Sequence, residues 1–153
     1  MKNIIKKIVM LSLLIALFSF TYSNQEATYS LTIKVENLRN SKGVVQYAIY
    51  NKDGSIPDEK YEKYFKKGIS KINDKGIASF TFTNLPQGSY AANVLHDENK
   101  NGKIDKKFML PIPKEGIGFS NYESIGLSNR PNFPKASFLV KSNMEKVIKI
   151  IYL

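Results

Sequence analysis

Apolar and polar residues alternate along much of this chain, and such alternation is the pattern of a β-strand that buries one face. In the first segment Leu31, Ile33 and Val35 share one face. The other segments with strand character are 44–50, a short edge strand at 69–72, 77–83, 89–95, 136–140 and 146–152. The first two segments and the last two are spaced as antiparallel hairpins. We therefore predict an all-β fold, an antiparallel β-sandwich of immunoglobulin-like or transthyretin-like type with about seven strands.

One helix is predicted between the second strand and the short edge strand. Acidic residues follow Pro57 at its start, and two lysines and Gly68 stand at its end, as capping and the helix dipole favour. The aromatic residues Tyr61, Tyr64 and Phe65 would share one face at helical spacing. The pattern predicts a short helix that covers an open end of the sheets.

A long connection over residues 97–135 shows neither the strand period nor the helix period. Long irregular segments in compact domains are usually either functional or disordered. This one carries too many large apolar side chains to be wholly disordered. We therefore predict a long ordered loop, which a metal ion near its start would hold in place.

The start of the chain has the layout of a secretory signal peptide. Lysines precede an apolar run from Ile8 to Phe20, and small residues occupy the positions required for cleavage after Ser23. The run is shorter than the ~20 apolar residues that a membrane span needs. We expect residues 1–23 to be a cleaved signal peptide and residues 24–153 to form a single β-sandwich domain. The mature protein would be exported, periplasmic or extracellular, with no stable membrane span.

Composition narrows the classes of partner. The chain has no cysteine, which excludes disulfides, and without the three lysines of the predicted signal peptide its formal charge falls from +10 to about +7. A basic protein can favour anionic partners such as lipid headgroups, although a lysine-coated soluble surface explains the same charge. Arginine occurs only at positions 39 and 130, and no nucleic-acid-binding motif is present. We expect no nucleic-acid partner, and an unknown protein or glycan as the partner class.

Residues 96–105, with the sequence HDENKNGKID, carry the richest chemistry of the chain. Their oxygen-bearing residues have the spacing of an EF-hand-type calcium loop, with a glycine at the sharp turn. Calcium prefers six to eight oxygen ligands, so the sequence predicts one bound Ca²⁺ as the cofactor. The predicted ligands within the loop are the side chains of Asp97, Asn99, Asn101 and Asp105 and the carbonyl of Lys103.

The loop departs from an EF-hand at its last position, where Phe108 replaces the bidentate glutamate. A further carboxylate must come from elsewhere, and Glu115 is the candidate ligand. Glu98, at an even position of the loop, would face away from the ion. With few negative charges, binding would be weak, on the order of 10⁻⁴–10⁻³ M. The alternative is a pair of tight turns, which Asp, Asn and Gly also favour for local reasons.

Four sequence blocks stand out along the chain, at residues 84–91, 96–105, 113–121 and 131–138. In this order they resemble the bacterial secreted family called domain of unknown function 2141. The resemblance covers nearly the whole predicted mature region and implies an exported all-β sandwich domain. It supplies no established biochemical activity.

Together these observations predict a non-enzymatic binding or envelope-associated structural module. Two alternatives stay open. A small extracytoplasmic hydrolase could use His96, the only histidine, together with nearby carboxylates. A carbohydrate-binding module could use the loop aromatics Phe119, Tyr122 and Phe133, provided that their rings lie on a solvent-exposed face.

Overall fold

The computed structural model describes residues 1–6, 26–110 and 112–153, so most of the predicted signal peptide, including its cleavage site, lies outside the described residues. Within the described residues the chain forms eight strands and two short helices, α1 at residues 2–6 and α2 at Phe133–Ala136. None of these helices is long and apolar enough to cross a membrane. The strands are β1 (Thr28–Glu36), β2 (Val44–Tyr50), β3 (Lys66–Ser70), β4 (Ala78–Pro86), β5 (Gly88–Asp97), β6 (Gly116–Phe119), β7 (Phe138–Val140) and β8 (Met144–Lys149).

The strands form two sheets that face each other. The first sheet has the order β4-β1-β8, and the second has the order β3-β2-β5-β6, with β7 pairing with the first residues of β5. β1 and β8 run parallel, whereas the other named strand pairs of the described chain are antiparallel. The predicted all-β sandwich is confirmed. All of these pairings lie within residues 28–149, so a chain that begins at residue 24 retains every one of them.

The main core lies between the two sheets. Leu31, Ile33 and Val35 of β1 are fully buried and pack with the inward residues of β2 and β5, as the alternating pattern predicts. β2 and β5 are buried on both faces, because a second apolar cluster covers the outer face of their sheet. The buried residues of that second cluster are Ala48, Tyr50, Ile56, Tyr61, Ala91, Leu95, Ile117, Phe119, Tyr122 and Ala136.

Both predicted terminal hairpins are wrong. β1 pairs with β4 and β8 in one sheet, whereas β2 pairs with β3 and β5 in the other. At the far end β7 joins β5, while β8 crosses to lie beside β1. The connections in this sandwich cross from one sheet to the other, and the alternation of side chains within a strand does not identify its partner strand.

The helix predicted over residues 57–68 is also wrong, since this segment consists of turns that lead into β3. The carboxylate of Asp58 accepts the backbone N–H groups of Glu62 and Lys63, at 3.1 and 2.8 Å, and the hydroxyl of Tyr50 at 3.2 Å. These bonds hold the backbone in a turn whose geometry is incompatible with an α-helix. The segment nevertheless covers the outer face of the second sheet, because the Tyr61 side chain is buried there.

The long connection after β5 is ordered, as predicted, but it is less irregular than its sequence indicates. It contains β6, which pairs with β5 over His96 to Asn93, and it ends in α2. β6 has the sequence GIGF, which is too short and too rich in glycine to show a strand period. This strand returns the chain to the start of the 97–105 segment. The two ends of that segment are thereby brought close together.

Candidate cation-binding loop

The 97–105 loop begins where β5 ends, at a point that the neighbouring strand holds firmly. Asp97 is the last residue of β5 and lies opposite Val44 of β2. Gly43, just before β2, has φ +76, and a Cβ there would lie 2.6 Å from the Glu98 Cα. Only glycine combines this conformation with such a close backbone approach. The start of the loop is therefore packed directly against the 42–43 backbone.

Asp97 closes the first turn of the loop from within. Its side chain is only 2% exposed. Its Oδ1 accepts the backbone N–H of Asn101 at 3.0 Å, and its Oδ2 accepts that of Gly102 at 2.8 Å. Gly102 has φ +77, the left-handed conformation that the turn needs. The predicted first ligand is therefore a buried carboxylate fixed by two backbone donors.

Three further predicted ligands meet on the solvent side of this turn. The Nδ2 of Asn99 lies 2.6 Å from Oδ2 of Asp105, and the Nδ2 of Asn101 lies 3.0 Å from both carboxylate oxygens of Asp105. The Oδ1 atoms of the two asparagines accept backbone N–H groups two residues ahead, in Asn101 and Lys103, each at 3.0 Å. Lys103 lies in the last of these turns with its side chain exposed.

Glu115 joins the two ends of the loop. It is 3% exposed and immediately precedes β6. Its Oε1 accepts the backbone N–H of Glu98 at 3.0 Å, and its Oε2 accepts that of Asp105 at 3.3 Å. Burial raises the pKa of Glu115, and the negative charges of Asp105 and Asp97 raise it further, while the two N–H donors oppose the shift. The neighbouring acids and burial thus both disfavour the charged form of Glu115.

The predicted ligands supply oxygen atoms, the type of ligand that a hard cation prefers. Within the described chain, no group of three or more acidic or histidine side chains has metal-binding geometry. The amide N–H groups of Asn99 and Asn101 donate hydrogen bonds to the carboxylate of Asp105. If both amides turned, oxygen would face oxygen, which is favourable only with a cation between them. These side chains can therefore satisfy one another or share an ion.

Glu98 faces away from the loop, as predicted. Its carboxylate accepts Nε of Arg39 at 2.9 Å and Nδ2 of Asn40 at 2.6 Å. The hydrogen bonds from the Arg39 guanidinium, more than any other cause, lower the pKa of Glu98 to about 2. Arg39 also stacks over the ring of Tyr152, with 4.6 Å between its Cζ and the ring centroid. This support of the loop was not predicted, because Arg39 and Tyr152 lie far from the loop in the sequence.

His96 is part of the same support. It is fully buried, its Nδ1 lies 2.7 Å from the Tyr152 hydroxyl, and its Nε2 lies 2.9 Å from the carbonyl of Lys42. Both ring nitrogens are therefore engaged. A general base needs a nitrogen that can reach substrate, and His96 in this arrangement has none. Its place in the fold is that of a hydrogen-bonded residue beneath the loop.

The aromatic rings of the long connection do not lie on a solvent-exposed face. The condition for carbohydrate binding by these rings is therefore not met. Phe119 and Tyr122 are each 4% exposed and pack edge to face in the second apolar cluster. Phe133 is partly buried against the same cluster. The rings are the internal core of the long connection.

Two facing sheets with a structured polar loop at one end define an all-β sandwich protein whose long connection carries its candidate site. A family model described as "Uncharacterized protein conserved in bacteria (DUF2141)" matches residues 33–148, from β1 to β8, and the chain belongs to this family. The match includes the whole 97–105 loop and Glu115. No curated protein and no solved structure matches the chain.

Proposed function

We propose that this protein is an exported, non-enzymatic β-sandwich module that binds one calcium ion in the 97–105 loop. The observation that carries the proposal is the convergence of Asn99 and Asn101 on Asp105, above the buried carboxylate of Asp97. Export rests on the sequence of the amino terminus, with lysines before an apolar run.

In this proposal the side chains of Asp97, Asn99, Asn101 and Asp105 and the Lys103 carbonyl would hold the ion. Calcium would supply positive charge to a cluster of carboxylates that otherwise repel one another. Glu115 holds residues 98 and 105 at the separation seen here, and it adds a negative charge behind the loop. Binding would therefore order the start of the long connection, which we propose is the surface presented to a protein or glycan partner in the cell envelope.

The test is a thermal melt of residues 24–153 in chelator, in millimolar calcium and in millimolar magnesium. A ligand that binds only the folded state at tenfold excess over its dissociation constant stabilises by ~1.4 kcal/mol. For a domain of this size that corresponds to a rise in Tm of several degrees. Magnesium demands a smaller, more regular shell and should have a weaker effect. Equal melting temperatures in chelator and in 10 mM calcium, about tenfold above the weakest expected dissociation constant, would contradict the proposal.

Two matched variants connect any shift to the loop. Asn99→Ala removes one predicted ligand together with its hydrogen bonds to Asn101 and Asp105, while the Asp97 carboxylate remains. The calcium-dependent rise in Tm, measured against the same variant in chelator, should therefore be smaller than in the wild type. Asp74→Asn alters an exposed acid in another turn and should leave the rise intact. A rise that is equal in both variants would place the ion elsewhere.

A further inference from the structure

A hairpin whose described residues are 106–110 and 112–113 carries three consecutive large apolar side chains into solvent. Lys106 and Pro113 form an antiparallel bridge, and the Lys107 N–H donates to the Ile112 carbonyl at 2.8 Å. The Leu110 N–H closes the turn by donating to the Lys107 carbonyl at 3.1 Å. The exposed fractions of Phe108, Met109 and Leu110 at the tip are 90%, 87% and 50%.

Not all of the large apolar side chains in the long connection are exposed in this way. Phe119 and Tyr122, a few residues later, are buried in the second apolar cluster. Met109 has φ +58, a conformation that non-glycine residues rarely adopt. The turn therefore displays its apolar residues at a conformational cost. Contiguous exposed apolar side chains of this kind mark sites of interaction with proteins or membranes.

The charge around the tip is strongly positive. Residues 100–114 contain five lysines and one acid, Asp105. All five lysines are exposed, and Lys106 has a counter-charge in Glu59, 2.6 Å away. Lysine stems can lie along an apolar surface while their ammonium groups reach polar headgroups. An apolar tip surrounded by these lysines matches an anionic bilayer, whose acyl chains lie beneath negatively charged headgroups.

The base of the hairpin is bonded to the end of the 97–105 loop. The Lys114 N–H donates to the Asp105 carbonyl at 2.8 Å, and the Asp105 N–H donates to the carboxylate of Glu115. These bonds are made by the chain itself. An interaction made by the tip is tested in chelator, so that its failure and the failure of the calcium proposal can be distinguished.

We propose that the tip formed by Phe108, Met109 and Leu110 inserts into the interfacial layer of an anionic lipid bilayer, with the surrounding lysines on the headgroups. The tip is a single convex turn, which a fluid interface accommodates without a preformed pocket. The positive charge of the surrounding lysines favours an anionic surface over a neutral one.

The chain contains no tryptophan, so Phe108→Trp provides a single fluorescent reporter at the tip. Residues 24–153 carrying this change are titrated, in chelator, with vesicles of phosphatidylglycerol and phosphatidylcholine or of phosphatidylcholine alone. We expect a blue shift with the anionic vesicles only, weakened when salt is raised from ~0.1 to ~0.5 M. Leu127→Trp places the reporter at a residue that is 87% exposed in another turn, and its emission should not shift.

Cosedimentation supplies the second measurement. The triple change Phe108→Ala, Met109→Ala and Leu110→Ala should lower the apparent affinity for anionic vesicles by about tenfold or more, while Leu127→Ala should leave it unchanged. An unchanged affinity in the triple variant would overturn the proposal. An unshifted emission of the Phe108→Trp protein at saturating vesicles would also do so. Self-association that the triple change abolishes, without vesicle binding, would instead identify a second copy of this chain as the occupant.

Discussion

The carboxylate of Glu115 accepts the backbone N–H of Asp105, ten positions earlier in the sequence, at 3.3 Å. With its other oxygen it accepts the N–H of Glu98, so that one buried side chain spans both ends of the 97–105 loop. The loop shape therefore depends on a residue that lies beyond the loop, just before β6. This arrangement gives the loop a defined geometry before any ligand is considered.

Replacement of Glu115 should loosen the loop. Glu115→Gln leaves one amide oxygen where two carboxylate oxygens accept N–H groups, and its NH₂ group faces the other donor. We expect a loss of about 1–3 kcal/mol in the free energy of unfolding. The amides of residues 98 and 105 should also exchange hydrogen faster. Glu62→Gln, at an exposed position, serves as the control. Unchanged exchange at both amides would show that Glu115 does not hold the loop.

Replacement of Asp97 should remove both the closed turn and the calcium response. Asp97→Asn retains the volume but cannot accept both backbone N–H groups with charge-assisted bonds. We expect a loss of about 1–3 kcal/mol in chelator, and no rise in Tm on addition of calcium. Chemical unfolding gives the first value and thermal melts give the second. A calcium-dependent rise that persists in full in this variant would contradict the assignment of Asp97 as a ligand.

The contact between Gly43 and the start of the loop can be tested with a closely matched pair of changes. Gly43 and Gly54 have φ +76 and +74, but a Cβ at Gly54 would meet nothing within 4 Å. Gly54→Ala should cost about 1 kcal/mol for its conformation alone. Gly43→Ala adds a clash with the Asp97 and Glu98 backbone, and we expect about 3 kcal/mol or more. Equal losses in urea unfolding would show that the close approach is unimportant.

The ion pair of Glu98 with Arg39 predicts a pH dependence of stability. The pKa of Glu98 is lowered from 4.5 to about 2, chiefly by the Arg39 hydrogen bonds. A lowered carboxyl pKa stabilises the fold above the unfolded value, and this contribution disappears as pH falls from about 4.5 toward 2. Because Arg39 is partly exposed, screening limits the contribution to about 1 kcal/mol.

The measurement is the difference in free energy of unfolding between the wild type and Glu98→Gln at a series of pH values. The difference should be largest above pH 4.5 and should shrink toward pH 2. Glu145→Gln, at an exposed position of β8, should give a difference that does not follow this window. A constant difference for Glu98→Gln would show that the ion pair does not contribute through its charge.

Much of the fold could be predicted because strand patterns are local. The alternation of Leu31, Ile33 and Val35 predicts a half-buried strand whichever strand lies beside it, and β1 has that burial. The helix predicted from the aromatic spacing near Tyr61 was wrong for the same reason, because that spacing is also a local pattern. A helix and a turn can present the same residues to a core, and the hydrogen bonds to Asp58 decide between them.

The candidate site, like the fold, could be predicted only where the pattern that defines it is local in the sequence. The spacing of Asp97, Asn99, Asn101 and Asp105 predicts that their side chains converge, because a tight loop brings alternate residues to one side. Arg39 and Tyr152 could not be assigned to the site from the sequence, since no local pattern connects them with Glu98 and His96. The exposure of Phe108 at the hairpin tip could not be predicted from the sequence either, because an apolar residue in a loop can be buried or exposed.

The sequence by itself determined most of the strands, many of the residues that line the central core and the polar composition of the loop, since each depends on neighbours within a few positions. Only the tertiary structure decided which strands pair, which aromatics are buried and how Glu115 closes the loop. Those features depend on the path of the chain between two sheets, and contacts between residues distant in sequence select that path.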